Sequence, residues 1–325
     1  MIVTVTPNPS IDRTVTLGTA LTRGAVHRLT SATSEPGGKG VNVARALSLA
    51  GVDAVALLPA ADTDPIVTAL HARGVAFRCV PVASAVRTNL TITEPDGTTT
   101  KLNEPGAPLD ESTLAVLTQA VFDAAQHASW VALSGSLPPG VPDGWYADVV
   151  ELLAPLPCRV AVDTSERPLA ALAAAFGRAA PDLIKPNAEE LASLAGVSPD
   201  ALEHAAAQGD PEPVVTAAGR LIADGVRAVL VTLGAAGAVL VDGTGSWMAS
   251  PPQITPRSTV GAGDSSLAGY LRAEVGGADP PQRLQMAVAY GSGAAALPGS
   301  ALPSPAQLDL NSVRVFAIAP ASTRP

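Results

Sequence analysis

Short, mostly apolar runs alternate with longer amphipathic ones along most of the chain. The short runs occupy Ile2–Thr6, Ala54–Leu58, Trp130–Ser134, Arg159–Asp163, Leu183–Lys185 and Ala228–Leu233. Between them, apolar residues recur at helical spacing over Val41–Ala50, Asp64–Arg73, Ser112–Gln126, Trp145–Leu153 and Ala188–Ala195, and again over Pro213–Asp224, Ser265–Glu274 and Gln282–Ala296. Strands without a polar face, alternating with helices, predict an α/β protein whose parallel sheet is covered on both sides. Two stretches break this rhythm. Arg13–Thr33 holds two Thr- and Val-rich runs with no helix between them, and Thr88–Asn103 holds a second pair about the turn Pro95-Asp96-Gly97-Thr98. Four strands of antiparallel character predict a small sheet standing off the core, with one face open as an active-site lid or a dimer surface. The Pro- and Ala-rich tail after Ser300 predicts a closing helix and a frayed end.

Composition narrows the function classes. A 325-residue chain with 47% hydrophobic and 15% charged residues has the means to bury a large core and is not disordered. No apolar run is long enough to span a bilayer, and Met1–Pro7 reads as a strand rather than a signal peptide. Cys79 and Cys158 form no disulfide or metal-ligand spacing, which suits packed thiols in a reducing cytoplasm. A net charge of −9 argues against nucleic acid or anionic membrane as partner. Of 20 basic residues only three are lysines, Lys39, Lys101 and Lys185, each in a loop-like motif. A compact ammonium suits a site where one oxygen meets a point charge in little space, which favours Lys39 and Lys185 most.

The most informative segment is Ser258-Thr259-Val260-Gly261-Ala262-Gly263-Asp264-Ser265, where small residues run into a helical pattern. Exposed backbone N–H groups and a helix N-terminus form an anion site. A carboxylate beside it repels phosphate, so its use is to take a proton from a hydroxyl that attacks phosphate. The plainer alternative is that Asp264 is an N-cap and the glycines a turn. The chain has no Walker-type phosphate loop, and Ser266 stands where a dinucleotide fingerprint needs its third glycine. Gly291-Ser292-Gly293 lies inside a helical pattern with no strand before it, which points to close helix packing.

Two signatures, Pro36-Gly37-Gly38-Lys39-Gly40-Val41-Asn42-Val43-Ala44-Arg45-Ala46-Leu47 and Ser258–Leu271, resemble those of the ribokinase-like (PfkB) carbohydrate kinases. The resemblance covers roughly residues 1–305. Thr6–Asp12, Val86–Thr91 and Ser134–Gly140 resemble the branch that acts on sugar phosphates. It implies one kinase domain over 1–325, with a three-layer α/β/α core, a mainly parallel sheet and a small lid from strands within about 12–36 and 87–105. It also implies ATP and Mg2+ as cofactors and a sugar phosphate as acceptor. Fructose 1-phosphate is expected, with tagatose 6-phosphate or fructose 6-phosphate as alternatives and a non-catalytic sugar-phosphate sensor as the rival class.

By this resemblance Asp264 is the base, and the Gly261, Ala262 and Gly263 amides form the anion hole. Asp12, Asn42 and the Gly38 backbone meet the sugar, under Asn103 of the lid. Lys39, Arg87 and Ser136 hold the phosphate already on it. Lys185, Asn187, Thr232, Gly234, Gly237 and Gly293 face ATP, Gly293 leaving room for adenine, and Glu190 organises magnesium through water. The open face of the lid makes a homodimer through the lid the expected assembly. One departure is Glu166, which follows Asp163-Thr164-Ser165 where related sequences carry glycine. If the turn needs positive φ, Glu166 fits it poorly. No catalytic role is expected from that loop.

Overall fold

The computed structural model describes residues 1–319; the frayed end predicted for the tail lies outside the described residues. Its strands are β1 (Ile2–Val5), β2 (Ser10–Leu17), β3 (Leu29–Gly37), β4 (Ala54–Pro59), β5 (Ala76–Val80), β6 (Arg87–Thr93) and β7 (Thr99–Asn103). They continue as β8 (Trp130–Ser134), β9 (Arg159–Asp163), β10 (Leu183–Ile184), β11 (Ala228–Thr232), β12 (Ala238–Asp242), β13 (Gly245–Ser250) and β14 (Arg314–Ala317). Ten of these form one sheet in the order β14-β13-β12-β11-β10-β9-β8-β1-β4-β5. From β5 to β11 every neighbouring pair is parallel, and the last three additions are antiparallel.

Strand parity explains why this sheet is buried on both faces. Val3, Val5, Val131, Leu133, Val160 and Val162 point into one core, with Leu117, Tyr146, Leu172 and Leu191 from the helices above. Their neighbours Ile2, Trp130, Ala132 and Ala161 point into the other, against Val43, Leu47, Leu267, Leu271 and Leu284. No helix among the described residues is long and apolar enough to cross a membrane.

The lid is a separate four-stranded sheet in the order β3-β2-β6-β7. The predicted hairpins are both present: β2–β3, and β6–β7 closed by Gly97 N donating to Glu94 O at 3.0 Å. Their junction corrects the expectation of a wholly antiparallel lid, because β2 and β6 run parallel. The chain passes through β4, the helix Pro65–Ala72 and β5 between them, so it re-enters the lid in its original direction. Cross-strand register places Asp12, Thr14 and Thr16 beside Asn89, Thr91 and Thr93, and these beside Asn103, Lys101 and Thr99. The alternate positions hold Ile11, Val15, Leu17, Leu90, Ile92 and Leu102, with Arg13, Thr88 and Thr100 among them. One lid face is therefore hydroxyl-rich and the other mainly apolar.

Three helices, Glu166–Ala174, Phe176–Ala179 and Pro199–Ala207, and the strands β5, β12, β13 and β14 were not predicted. The tail is also corrected: it forms a single 3-10 turn, Pro305–Gln307, and then β14 on the sheet edge, not a closing helix. Arg-Val-Phe-Ala finds unpaired backbone groups on β13 there, which its own local sequence gave no reason to expect.

Glu166 is the one non-glycine residue with positive φ among the described residues, at 54°. The β-carbon crowding that glycine avoids costs roughly 1–2 kcal/mol in this region. Glu166→Gly is therefore expected to raise the unfolding free energy by about 1 kcal/mol, measured by urea denaturation. A loss of stability would mean that the turn is not strained.

Candidate active site

The site lies where the fold rule for parallel sheets puts it, beyond the carboxyl ends of the central strands. Asp163 ends β9, Gly135-Ser136 follows β8, Lys185 follows β10, and Thr232 ends β11. Gly37 ends lid strand β3, and Gly38 turns the chain into the helix Lys39–Leu49. Gly38 has φ of 100°, and a β-carbon there would lie 2.7 Å from Thr6 Cγ2. Only glycine lets this turn seat the helix against the segment leaving β1.

The helix carrying Asp264 runs Ala262–Val275, three residues earlier than its hydrophobic pattern suggests. Gly261, at φ 76°, precedes it, so Asp264 sits inside the first turn and makes no capping bond to the helix. The N-cap alternative is thereby excluded. The carboxylate is 6% exposed, and its Oδ2 accepts a 2.9 Å hydrogen bond from Asn42 Nδ2. Lys39 Nζ lies 3.5 Å from Oδ1. Burial pushes the Asp264 carboxyl above the usual carboxylate range, with Lys39 acting against the shift. Of the leading amides of this helix, which an α-helix leaves without intrahelical acceptors, that of Ala262 donates to Thr259 O at 3.4 Å.

Asp163 was not expected in the site, and it is at its centre. Its side chain is fully buried, with Lys39 Nζ at 3.3 Å and Lys185 Nζ at 3.3 Å. Burial opposes its charge, yet Lys185 and Lys39 together hold its carboxyl below the usual range. The same carboxylates hold the Lys39 ammonium well above its usual range. Both lysines favoured by sequence thus meet on one aspartate. The signal available was the Asp-Thr-Ser run at the end of a predicted parallel strand. Lys185 Nζ also lies 3.2 Å from where a β-carbon on Gly263 would be, so the ammonium borders the Gly263 backbone directly.

A second cluster lies under the lid. Arg87, at the start of β6, donates from Nη1 to Glu104 O at 2.9 Å, and its Nη2 lies 3.5 Å from Ser136 Oγ. Arg87 Nε is buried without a partner. Burial lowers this guanidinium from its usual range. Asn8, another residue to which sequence assigned no role, donates to Ser136 Oγ at 3.2 Å and Pro105 O at 3.0 Å. Arg87 and Ser136 are thus brought together, whereas Lys39 pairs with the two aspartates. Asp12 Oδ1 accepts from Ser10 Oγ at 2.7 Å and Asn89 Nδ2 at 3.0 Å. Asn103 is exposed at the end of β7 and Lys101 is exposed nearby. Lys101, Thr14, Thr91 and Thr99 line a cavity of about 220 Å³ together with Ser258–Val260.

On the far side of Asp163, Asn187 caps the helix Ala188–Ala195 through a reciprocal box with Glu190. Glu190 Oε2 accepts the Asn187 N–H at 2.8 Å, and its half-buried carboxyl is pushed up by burial. Thr232 bridges to Asn187, Gly234 opens a 3-10 turn, and Gly237 closes it. Gly293 lies in the helix Pro280–Ala295, where a β-carbon would meet Pro303 and Leu308 at 3.1 Å. Its missing side chain is used here to seat that segment on the helix.

A buried carboxylate within the first turn of a helix, ammonium groups beside that turn, and a half-buried guanidinium at the root of the lid form a set of groups suited to phosphoryl transfer. The pfkB family carbohydrate kinase model matches residues 6–307, and the chain belongs to that family. It is 38% identical over 314 residues to 1-phosphofructokinase of Rhodobacter capsulatus, covering 94% of each chain. It is 36% identical over 274 residues to 1-phosphofructokinase of Xanthomonas campestris pv. campestris, covering 83% of each. Among solved structures, phosphofructokinase-2 of Escherichia coli in complex with substrates and products superposes with a TM-score of 0.84 at 31% identity, covering 94% of this chain and 96% of that one.

Proposed function

We propose that this ATP-dependent sugar-phosphate kinase converts fructose 1-phosphate and ATP to fructose 1,6-bisphosphate and ADP in the cytoplasm. The observation that carries the mechanism is a buried, hydrogen-bonded Asp264 in the first turn of a helix, with the Gly261–Gly263 backbone beside it. Asp264 takes the proton from the acceptor hydroxyl as its oxygen bonds to the γ-phosphorus and the bond from that phosphorus to ADP breaks. The Ala262 and Gly263 amides and Lys185 meet the charge on the moving phosphoryl group. Lys39, shared between Asp264 and Asp163, favours the ionised base while the acceptor binds. Arg87 and Ser136 grip the phosphate on the sugar, the buried and unpartnered Arg87 Nε being a donor in need of an anion. Asp12, Asn42 and the Gly38 backbone orient the ring, and Asn103 comes over it from the lid.

Lys185, Asn187, Thr232, Gly234 and Gly237 frame the nucleotide side, with Gly293 at its edge. The described residues contain no cluster of three or more His, Cys, Asp or Glu that holds a metal by itself. That fits magnesium, which keeps several waters and needs few carboxylates besides phosphate oxygens. Glu190 is the residue that would hold it, since one of its two oxygens is committed to the Asn187 amide. The ion supplies charge neutralisation to the phosphates when bound.

Names of the curated relatives favour fructose 1-phosphate. The likeness to phosphofructokinase-2 supports fructose 6-phosphate as the second reading. The deciding experiment is a coupled ADP-release assay with fructose 1-phosphate, fructose 6-phosphate, tagatose 6-phosphate and fructose. Highest kcat/KM on fructose 1-phosphate is expected; turnover of neutral fructose alone would overturn the phosphate clamp. No turnover, with tight binding of a sugar phosphate, would favour a sensor.

Asp264→Asn is expected to lower kcat by about 10² or more with ATP binding retained. A raised carboxyl must still be ionised to act, so wild-type kcat should fall as pH drops through a midpoint above the ordinary aspartate value of about 4. That acid limb should vanish in the residual activity of the variant. Arg87→Ala should raise KM for the sugar phosphate at least tenfold more than KM for ATP, by roughly the strength of a charge-assisted contact; equal rises would place Arg87 outside the clamp. The apolar lid face, with Leu102 55% exposed, is proposed to pair with the same face of a second copy. Sedimentation should then give a dimer that Leu102→Glu dissociates, and a wild-type monomer would refute it.

A further inference from the structure

A chain of hydrogen bonds links the lid to Asp264 through a residue with no assigned role. Arg45 lies on the helix Lys39–Leu49, one turn beyond Asn42 and on the same face. Its side chain is 8% exposed. Nη1 donates to Asn42 Oδ1 at 3.2 Å and to Pro36 O at 3.0 Å, and Nη2 pairs with Glu35 Oε2 at 2.9 Å. Asn42 in turn donates from Nδ2 to Asp264 Oδ2 at 2.9 Å. Glu35 and Pro36 belong to lid strand β3, where Glu35 stands opposite Asp12 of β2. The other charge on Glu35 is the exposed Arg73.

We propose that Arg45 is a positioning residue for phosphoryl transfer, which fixes the Asn42 amide with its NH2 group on Asp264 and takes its own position from the lid strand. An amide has one accepting and one donating end, and a guanidinium only donates. Arg45 therefore pins the Asn42 oxygen to its own side. Without it, a turned amide would set its oxygen against the Asp264 carboxylate, two acceptors facing each other in a buried site. Packing alone does not explain the residue: a well-packed apolar side chain is often as stabilising as a buried ion pair, or more so. The three acceptors match the forked geometry of a guanidinium, which a lysine cannot reproduce. Because two of them are on β3, displacement of the lid strand is passed to the amide that steadies the base.

The inference rests on Asp264 being the base, and the test separates the two. Arg45→Met and Arg45→Lys are compared with wild type, and Arg45→Met is repeated on an Asn42→Ala background. Arg45→Met should lower kcat by about 10- to 100-fold, the scale of a small misplacement of catalytic groups, with KM for ATP within about twofold. Arg45→Lys should still fold, its ammonium meeting Glu35, with a lowered melting temperature because two buried acceptors lose their donor, and should recover little of the lost kcat. On the Asn42→Ala background, Arg45→Met should change kcat by no more than about twofold, because the group it acts through is gone. Full additivity on that background, or recovery of wild-type kcat by Arg45→Lys, would overturn the proposal. If Arg45→Met does not fold, Arg45→Lys decides by the same criterion. Normal turnover in Asp264→Asn would refute the base instead, whatever the Arg45 variants do.

Discussion

The carboxylate of Asp163, buried between two ammonium groups, is the interaction around which the site is organised. Its partners come from distant parts of the chain: Lys39 opens the helix after the lid, and Lys185 follows β10. Removing either one would leave more negative charge in a fully buried position, which typically costs about 3–5 kcal/mol. The same aspartate holds the two lysines in separate places, one against Asp264 and one against the Gly263 backbone. A negative charge between two positive ones holds both ammonium groups in place without leaving an unpaired buried cation in the apoprotein. A chain of net charge −9 thus concentrates two of its three lysines on one buried anchor.

The lid extends that logic to the other end of the acceptor. Its hydroxyl-rich face carries Asp12, Asn89, Thr91 and Lys101, while Arg87 at its root reaches toward Ser136 of the core. Of the four connections between lid and core, the two by which the chain leaves the lid enter the site, one through Gly37-Gly38 into the Lys39 helix and one through Glu104–Gly106 beside Asn8. Any movement of the lid on the core is therefore felt at the acceptor pocket. Arg45 adds a side-chain route alongside these backbone ones, from Glu35 to Asn42 and on to Asp264.

Much of the fold was legible because the central strands and main helices carry strong periodic patterns. β8, β9 and the helices Trp145–Leu153 and Ala188–Ala195 begin and end where the hydrophobic spacing places them. Some omissions had a usable signal: Asp242-Gly243-Thr244 between two short apolar runs is a hairpin turn, with Asp242 Oδ1 accepting from Thr244 N at 2.7 Å. The helix Glu166–Ala174 also carried one, with Leu169 and Leu172 at helical spacing on its buried face, although its first residue adopts φ of 54°. Glu166 itself shows that a departure from a glycine pattern is readable before its strain is seen.

By itself the sequence determined the class of chemistry, because a glycine-rich loop, an aspartate and a helical pattern are contiguous in the chain, as are the lid hairpins and the Gly-Gly-Lys-Gly turn. It also singled out Lys39 and Lys185. Only the tertiary structure decided what each charged group faces. Asp163, Asn8 and Arg45 act on partners far away in sequence or shared across elements, and local pattern carries no information on such pairings. That Asp264 does not cap its helix was likewise decided by where that helix starts, and its carboxylate meets Asn42, 222 residues away. The parallel β2–β6 junction and β14 on the sheet edge follow from unsatisfied backbone groups on a neighbouring strand, which exist only once the chain has folded.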